Sequence, residues 1–152
     1  MTATFERGYN ALKRVLDAPI ASFFSSCVHC GLCAEACMFY TENGDPKYTP
    51  IHKLEPLRRV WEQETTLVGK LAKATGLAKK IDDQMLEAWS PLVYDSCSLC
   101  GRCSLVCPVG NDITYMVRKL REGMSASGNA PEGLIGASKR TITVGSPMGV
   151  QW

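Results

Sequence analysis

The sequence predicts an all-α protein wrapped around two cysteine-rich loops, and three observations carry that expectation. Apolar residues recur at helical spacing in several segments along the chain. Strand-like alternation of apolar and polar residues is absent. The eight cysteines all fall in two copies of one pattern, C-x2-C-x2-C-x3-C: Cys27, Cys30, Cys33 and Cys37, then Cys97, Cys100, Cys103 and Cys107. Each cysteine of the second copy lies 70 residues after its counterpart in the first.

From the N-terminus, Phe5, Tyr9, Leu12, Val15, Leu16 and Ile20 fall on one side of a helix and Lys13 and Arg14 on the other. This predicts an amphipathic helix over about 4–18, within an N-terminal segment 1–22. Phe23 and Phe24 then lead into the first cysteine loop. Gly31 and Gly101 occupy the same slot, between the second and third Cys of each copy. Only glycine takes a positive φ freely, so each loop can fold tightly and aim N–H groups inward. Ala34-Glu35-Ala36 and Ser104-Leu105-Val106 suit short helical turns bearing the fourth Cys.

The 59 residues between the copies read mostly as helix after a polar loop, Thr41 to Tyr48. Leu57, Val60 and Trp61 predict a helix over 56–65, opened by Pro50 or Pro56. Leu67, Val68 and Leu71 predict another over 67–75. Ile81, Met85, Leu86 and Trp89 predict a third over 78–89, stopped by Ser90-Pro91. Asp112 is placed to cap a helix over 112–123 that carries Ile113, Met116, Val117 and Leu120. The main domain is therefore expected at 23–123. Segment 124–152 is a tail with one more helix from Pro131 to about Val144. Its abrupt end at Val150-Gln151-Trp152 leads us to expect that a longer natural protein continues from there.

A chain of 152 residues with 45% apolar composition can bury a single core. Net charge is +2 with charges mixed along the chain, which argues against nucleic-acid binding. No apolar run approaches the roughly 18 residues that span a membrane, so membrane contact is expected to be peripheral at most or through a partner. Met1 to Phe24 lacks the features of a secretory signal, and thiols kept free for metal point to a reducing, cytoplasmic setting.

The cysteine spacing is that of two [4Fe–4S] cubanes. Three thiolates three residues apart let a tight loop cover three corners of a cubane. In two-cluster ferredoxins the fourth iron takes the last Cys of the other copy. Cys27, Cys30, Cys33 and Cys107 are assigned to one cluster on this basis, and Cys97, Cys100, Cys103 and Cys37 to the other. Zinc would use paired C-x2-C knuckles but has no use for the third and fourth Cys of each copy. Disulfides are unneeded in a chain of this size. Haem attachment is excluded because Gly31, not His, follows Cys30.

The two motifs, the helical spacer and the Cys107-Pro108 ending resemble the α-helical ferredoxin family. The stretches carrying the likeness are Cys27–Tyr40, Gly44–Tyr48, Pro91–Ser96 and Cys97–Asp112, with Gly145–Gly149 near its end. The closer likeness is to proteins of the heterodisulfide reductase C-like group and the N-terminal domains of larger Fe–S oxidoreductases. The first copy departs from the pattern in having Met38 where the second has Pro108. The resemblance implies an electron-transfer subunit or domain. Its donor would be a flavoprotein or Fe–S partner and its acceptor a cysteine-rich, heterodisulfide reductase-like catalytic subunit. The motifs fit equally the iron–sulfur subunits of glycolate, lactate or glycerol-3-phosphate oxidase-type complexes, and a zinc-held structural module is the remaining alternative.

No catalytic residue is expected in the chain itself. Every Cys serves as a ligand, and neither a G-x-G-x-x-G fingerprint nor a P-loop is present. His29 either tunes a cluster or faces outward, and Arg102 either supports a reduced cluster or is a solvated charge. His52 is expected on the surface or in packing. The N-terminal helix and the tail are the expected docking segments, since Phe5, Tyr9, Leu12, Leu134, Ile135, Ile142 and Val144 exceed what a small domain must bury.

Overall fold

In the computed structural model, which describes residues 3–78 and 81–150 and all their side chains except those of 3–6 and 83, the regular structure is helical and no strand occurs among the described residues. Helix α1 (Ala3–Arg14) stops short of the expected residue 18, and a second helix, α2 (Ala18–Ser26), follows it. The break has a local cause. Asp17 caps α2, its carboxylate accepting from the Ile20 amide at 3.1 Å, and Pro19 has no N–H to extend α1. The Asp-Ala-Pro run is the sequence signal for this break.

Four short helices wrap the cysteine region: α3 (Leu32–Glu35), α4 (Met38–Asn43), α5 (Pro50–Lys53) and, after the longer helices, α9 (Arg102–Leu105). The longer helices between them are α6 (Glu55–Thr65), α7 (Leu67–Ala74) and α8 (Asp83–Tyr94). Helix α10 (Ile113–Ser127) and helix α11 (Glu132–Val144) complete the described chain. The expected helices over 56–65, 67–75 and 112–123 are therefore present within a few residues.

Helix α8 differs from expectation. It starts at Asp83 under an Asp82 cap and runs through Pro91 instead of ending there. Residues 79 and 80 of the expected helix lie outside the described residues. Pro91 is tolerated because it falls in the last turn, where only one backbone bond is lost. Beyond it, Val93 is buried, and the amides of Asp95 and Ser96 both donate to the Pro91 carbonyl. The Arg121 guanidinium on α10 then donates to the carbonyls of Val93 (2.7 Å), Tyr94 and Cys97, satisfying the helix end.

One core joins these helices. Tyr9 and Leu12 from α1, Val15 just after it, Ile20 and Phe23 from α2, and Leu57 and Val60 from α6 are all buried. Leu86 and Val93 from α8 and Met116, Val117, Leu120 and Met124 from α10 join them, with Cys33, Leu54, Ile81 and Ile113. Helix α10 is central, and α1 crosses it at Gly123. A Cβ there would lie 2.7 Å from Leu12 Cδ2 and 3.3 Å from Leu12 Cα. The described apolar face of α1 is thus consumed in the core, against the expectation that Tyr9 and Leu12 would dock a partner; the Phe5 side chain lies outside the described residues. A polar clasp locks α1 further. The Glu64 carboxylate on α6 accepts from Lys13 on α1 and Lys73 on α7, each at 2.6 Å, and from the Tyr9 hydroxyl. These donors, Lys13 foremost, hold the Glu64 carboxyl down to about 2.

The face of α7 carrying Leu67, Val68 and Leu71 is exposed, as are Leu134 and Ile142 on α11. These tail residues remain free of the core, as the sequence suggested.

The α1–α10 crossing generates a test. Gly123→Val should lower stability by about 1–3 kcal/mol through overpacking. Gly133→Ala, where a Cβ meets nothing within 4 Å, should leave it unchanged or slightly raised. Denaturant unfolding followed by circular dichroism compares the two.

Candidate metal centres

The two cysteine loops repeat each other in backbone as well as sequence. Gly31 (φ 84°) and Gly101 (φ 79°) are left-handed and cap α3 and α9. The residue before the second Cys of each copy is left-handed too: His29 at φ 54° and Leu99 at φ 56°. Neither is glycine, so each loop holds backbone strain immediately before its second Cys, a feature associated with functional sites. No sequence signal marked His29 or Leu99 for this conformation. Cys33 and Cys103 then ride on α3 and α9, and Cys37 and Cys107 follow one turn later.

Two cavities lie against these loops. Cys97, Cys100 and Cys103 line one of them together with Cys37, Phe39, Pro50, Lys53 and Val117. Cys27, Cys30 and Cys33 line the other together with Cys107, Phe23, Ile51 and Pro108. Ile113, at the start of α10, is a wall of both. Each cavity thus meets three cysteines of one motif and the fourth of the other.

Specific bonds hold the loops in this register. Ser26 Oγ donates to Asn111 Oδ1 at 3.1 Å, tying the approach to the first motif to the turn after Cys107. Ser104 Oγ donates to Asp112 Oδ1 at 3.1 Å and accepts from the Thr114 amide at 3.1 Å, fixing α9 on α10. The Tyr115 hydroxyl donates to the Asp17 carboxylate, fastening α10 to the start of α2. Arg121 holds the Cys97 carbonyl.

Burial pushes the Cys33 thiol up to about 11, and the neighbouring sulfurs of Cys103, Cys27 and Cys30 push the same way. Burial also raises Cys103, with Cys97 next. The sulfurs are crowded enough that Cys33 on one cavity feels Cys103 on the other. Such thiols ionise readily only when a cation takes the proton's place. Cys30 and Cys100 are exposed, so one corner of each set faces outward.

This donor set fits a thiolate-bound iron–sulfur cubane. Four thiols line each cavity, three from one loop and one from the other, which matches the four iron corners of a cubane. The amides of Val28–Gly31 and Ser98–Gly101 donate to no protein acceptor among the described residues, and cluster sulfurs accept such bonds. Asn111 Nδ2 is buried without a partner on the turn that follows Cys107, a further donor of the same kind.

Of the other residues singled out from sequence, His29 is an exposed wall of the first cavity and Arg102 is exposed. His52 packs its ring on Trp89 at 5.1 Å between centroids. Sequence reasoning missed Lys53, which is fully buried with its ammonium against Cys37 Sγ at 3.8 Å. A lysine between His52 and Leu54 carries no sequence signal for this.

Helices enclosing two cavities rimmed by four thiols each define a helical iron–sulfur protein. Residues 24–111, more than half the chain, match the model of the 4Fe-4S dicluster domain, and the chain belongs to that family. It is 38% identical over 106 residues to the Hdr-like menaquinol oxidoreductase iron-sulfur subunit of Archaeoglobus profundus, covering 70% of this chain and 19% of that protein. Subunit 2 of the same name from Archaeoglobus fulgidus gives the same identity and coverage. It is also 29% identical over 118 residues to the D subunit of the dihydromethanophenazine:CoB–CoM heterodisulfide reductase of Methanosarcina acetivorans, covering 77% of this chain and 28% of that one. The chain therefore spans about a fifth of the length of the Archaeoglobus proteins it matches. No solved structure matches it.

The left-handed loop positions can be probed directly. Nothing lies within 4 Å of a Cβ built at Gly31, so the cost of Gly31→Ala is the backbone penalty alone, about 1–2 kcal/mol. Gly31→Ala should shorten the lifetime of bound iron under a chelator, and Gly31→Asn should shorten it less, because asparagine tolerates this conformation better.

Proposed function

We propose that this chain relays single electrons through two [4Fe–4S] clusters, as the iron–sulfur part of a heterodisulfide reductase-like oxidoreductase. One cluster would be held by Cys27, Cys30, Cys33 and Cys107, the other by Cys97, Cys100, Cys103 and Cys37. The observation that carries this is the three-and-one distribution of cysteines around the two cavities.

A bound cubane supplies one-electron redox chemistry, at a potential the surroundings set within a range of roughly −700 to +450 mV. The chain's residues do the rest. Phe23, Ile51, Ile113 and Val117 keep water from the cavities, which limits solvation of charge and protects the iron–sulfur bonds. Ser26, Asn111, Ser104 and Arg121 hold the loops so that the thiolates need not reorganise when charge changes. The common wall at Ile113 keeps the two sites within one helix end of each other.

Electron exchange needs a partner close to an exposed corner. Cys30 and Cys100 are such corners, and around them Val28, Leu32, Val109, Leu105 and Val106 are exposed apolar residues suited to docking. The α7 face of Leu67, Val68 and Leu71 adds a further exposed surface away from the loops. The resemblance to heterodisulfide reductase-like proteins implies a flavoprotein or Fe–S subunit as donor and a cysteine-rich catalytic subunit or domain as acceptor. Among the described residues no helix is long and apolar enough to cross a membrane.

Ligand exchange tests the assignment. Cys107→Ser should disturb the same cluster as Cys27→Ser, and Cys37→Ser the same cluster as Cys97→Ser, as read by electron paramagnetic resonance of the dithionite-reduced protein. Matching of Cys37→Ser with Cys27→Ser would refute the crossed sets. The purified chain should take electrons from dithionite and pass them to a dye. It should turn over no disulfide, lactate or glycolate without a partner.

A further inference from the structure

We propose that Lys53 is the fixed counter-charge of the cluster held by Cys37, Cys97, Cys100 and Cys103, and that it sets this cluster's potential above that of its neighbour. The inference rests on the two-cluster function proposed above and adds a direction to it.

Lys53 ends α5 and is 1% exposed, the largest fully buried side chain among the described residues. Lysine is almost never fully buried unless paired. The polar partners of its ammonium are the Ser96 carbonyl, at 2.5 Å, and Cys37 Sγ, at 3.8 Å, with the Phe39 ring 5.2 Å away. Among the described residues it has no ion pair with a carboxylate. A carbonyl and an aromatic face offset only part of what a buried charge loses in leaving water. The missing anion is the content of the cavity, of which Lys53 is a wall: four thiolates and the cluster they bind. The stem of Lys53 is packed by its burial, so the charge cannot swing away to solvent.

The other cavity has no such group. Its walls include no Lys, Arg, Asp or Glu, and His29 is its one non-cysteine titratable residue. Arg58 lines an adjoining pocket with Cys27, but there it is paired with Glu55 and Glu62 and so offers no uncompensated charge. The Arg121 guanidinium adds to the imbalance, since it is anchored on the Cys97 carbonyl, beside the Lys53 cavity. Reduction adds one negative charge to a cluster, and a nearby cation favours the reduced state more than the oxidised one. The cluster beside Lys53 therefore holds the electron more tightly. When one electron passes within the chain, the cluster of Cys27, Cys30, Cys33 and Cys107 is oxidised by one and that of Cys97, Cys100, Cys103 and Cys37 is reduced by one. No proton is required, and the electron enters from the donor already named.

Lysine and methionine are both unbranched, so Lys53→Met removes the charge and keeps most of the packing. The test is a potentiometric titration of the complete chain followed by electron paramagnetic resonance, with iron and sulfide counted. The wild type should show two one-electron waves. In Lys53→Met the higher wave should move down by at least a tenfold change in the reduced-to-oxidised ratio, about 59 mV for one electron. The lower wave should move less. Lys53→Gln, which keeps a polar donor, should move the higher wave in the same direction and serves if the Met variant does not fold. Should either variant lose one cluster, the survivor must sit at the lower wild-type potential; a survivor at the higher one would overturn the proposal. So would two waves that stay in place or move together. A wild type with iron and sulfide for two clusters but one coincident two-electron wave would also overturn it, whereas iron and sulfide for fewer than two clusters would refute the two-cluster function itself.

Discussion

Each cavity meets its fourth thiol from the far motif, and the helical body is what makes that possible. Cys37 and Cys107 sit one turn beyond their own loops, two residues past the ends of α3 and α9. Bringing them to the opposite cavities requires those two short helices to lie side by side, and α3 and α9 do pack together. Neither helix could hold that position alone, because four residues make too few bonds to be stable in isolation. The stability comes from α10, whose first residues wall both cavities and whose far end is gripped by α1 at Gly123. The apolar core is thus arranged to fix the ends of α3 and α9, and the polar bonds of Ser26, Ser104 and Arg121 refine the fit.

The two sites are near copies in backbone and unequal in electrostatics. Left-handed residues flank Cys30 and Cys100 in the same pattern, so loop geometry gives neither cluster an advantage. The difference lies outside the repeats. Segment 38–96 has no counterpart on the other side, and it supplies Lys53 to one cavity alone. A duplicated loop on an unduplicated scaffold is a simple way to make two similar sites with different affinities for an electron.

Much of this was legible in the sequence, for identifiable reasons. Cysteine spacing is a direct consequence of ligand geometry, so both motifs could be read without a structure. The periodic helices over 56–65, 67–75 and 112–123 carry strong apolar spacing and appear where expected. The failures lie where tertiary contacts overrule local signals. Pro91 reads as a stop, but burial of Val93 and the Arg121 clamp carry α8 past it. Tyr9 and Leu12 read as surplus apolar surface, but α10 presents a glycine that lets α1 approach closely enough to bury them. Leu67, Val68 and Leu71 read only as a helical run, and nothing in their spacing shows that α7 turns them outward. Lys53 could not be read at all, since nothing in its neighbours distinguishes a buried lysine from a solvated one.

The central claim is that the eight cysteines bind two cubanes close enough to act as one wire. The most direct measurement is Mössbauer spectroscopy of the iron-57-loaded chain, with iron, acid-labile sulfide and zinc counted per chain. The account predicts iron and sulfide for two [4Fe–4S] clusters, with magnetic coupling between them once both are reduced. Zinc in place of iron, iron for a single cluster, or two fully reduced clusters that do not interact would contradict it.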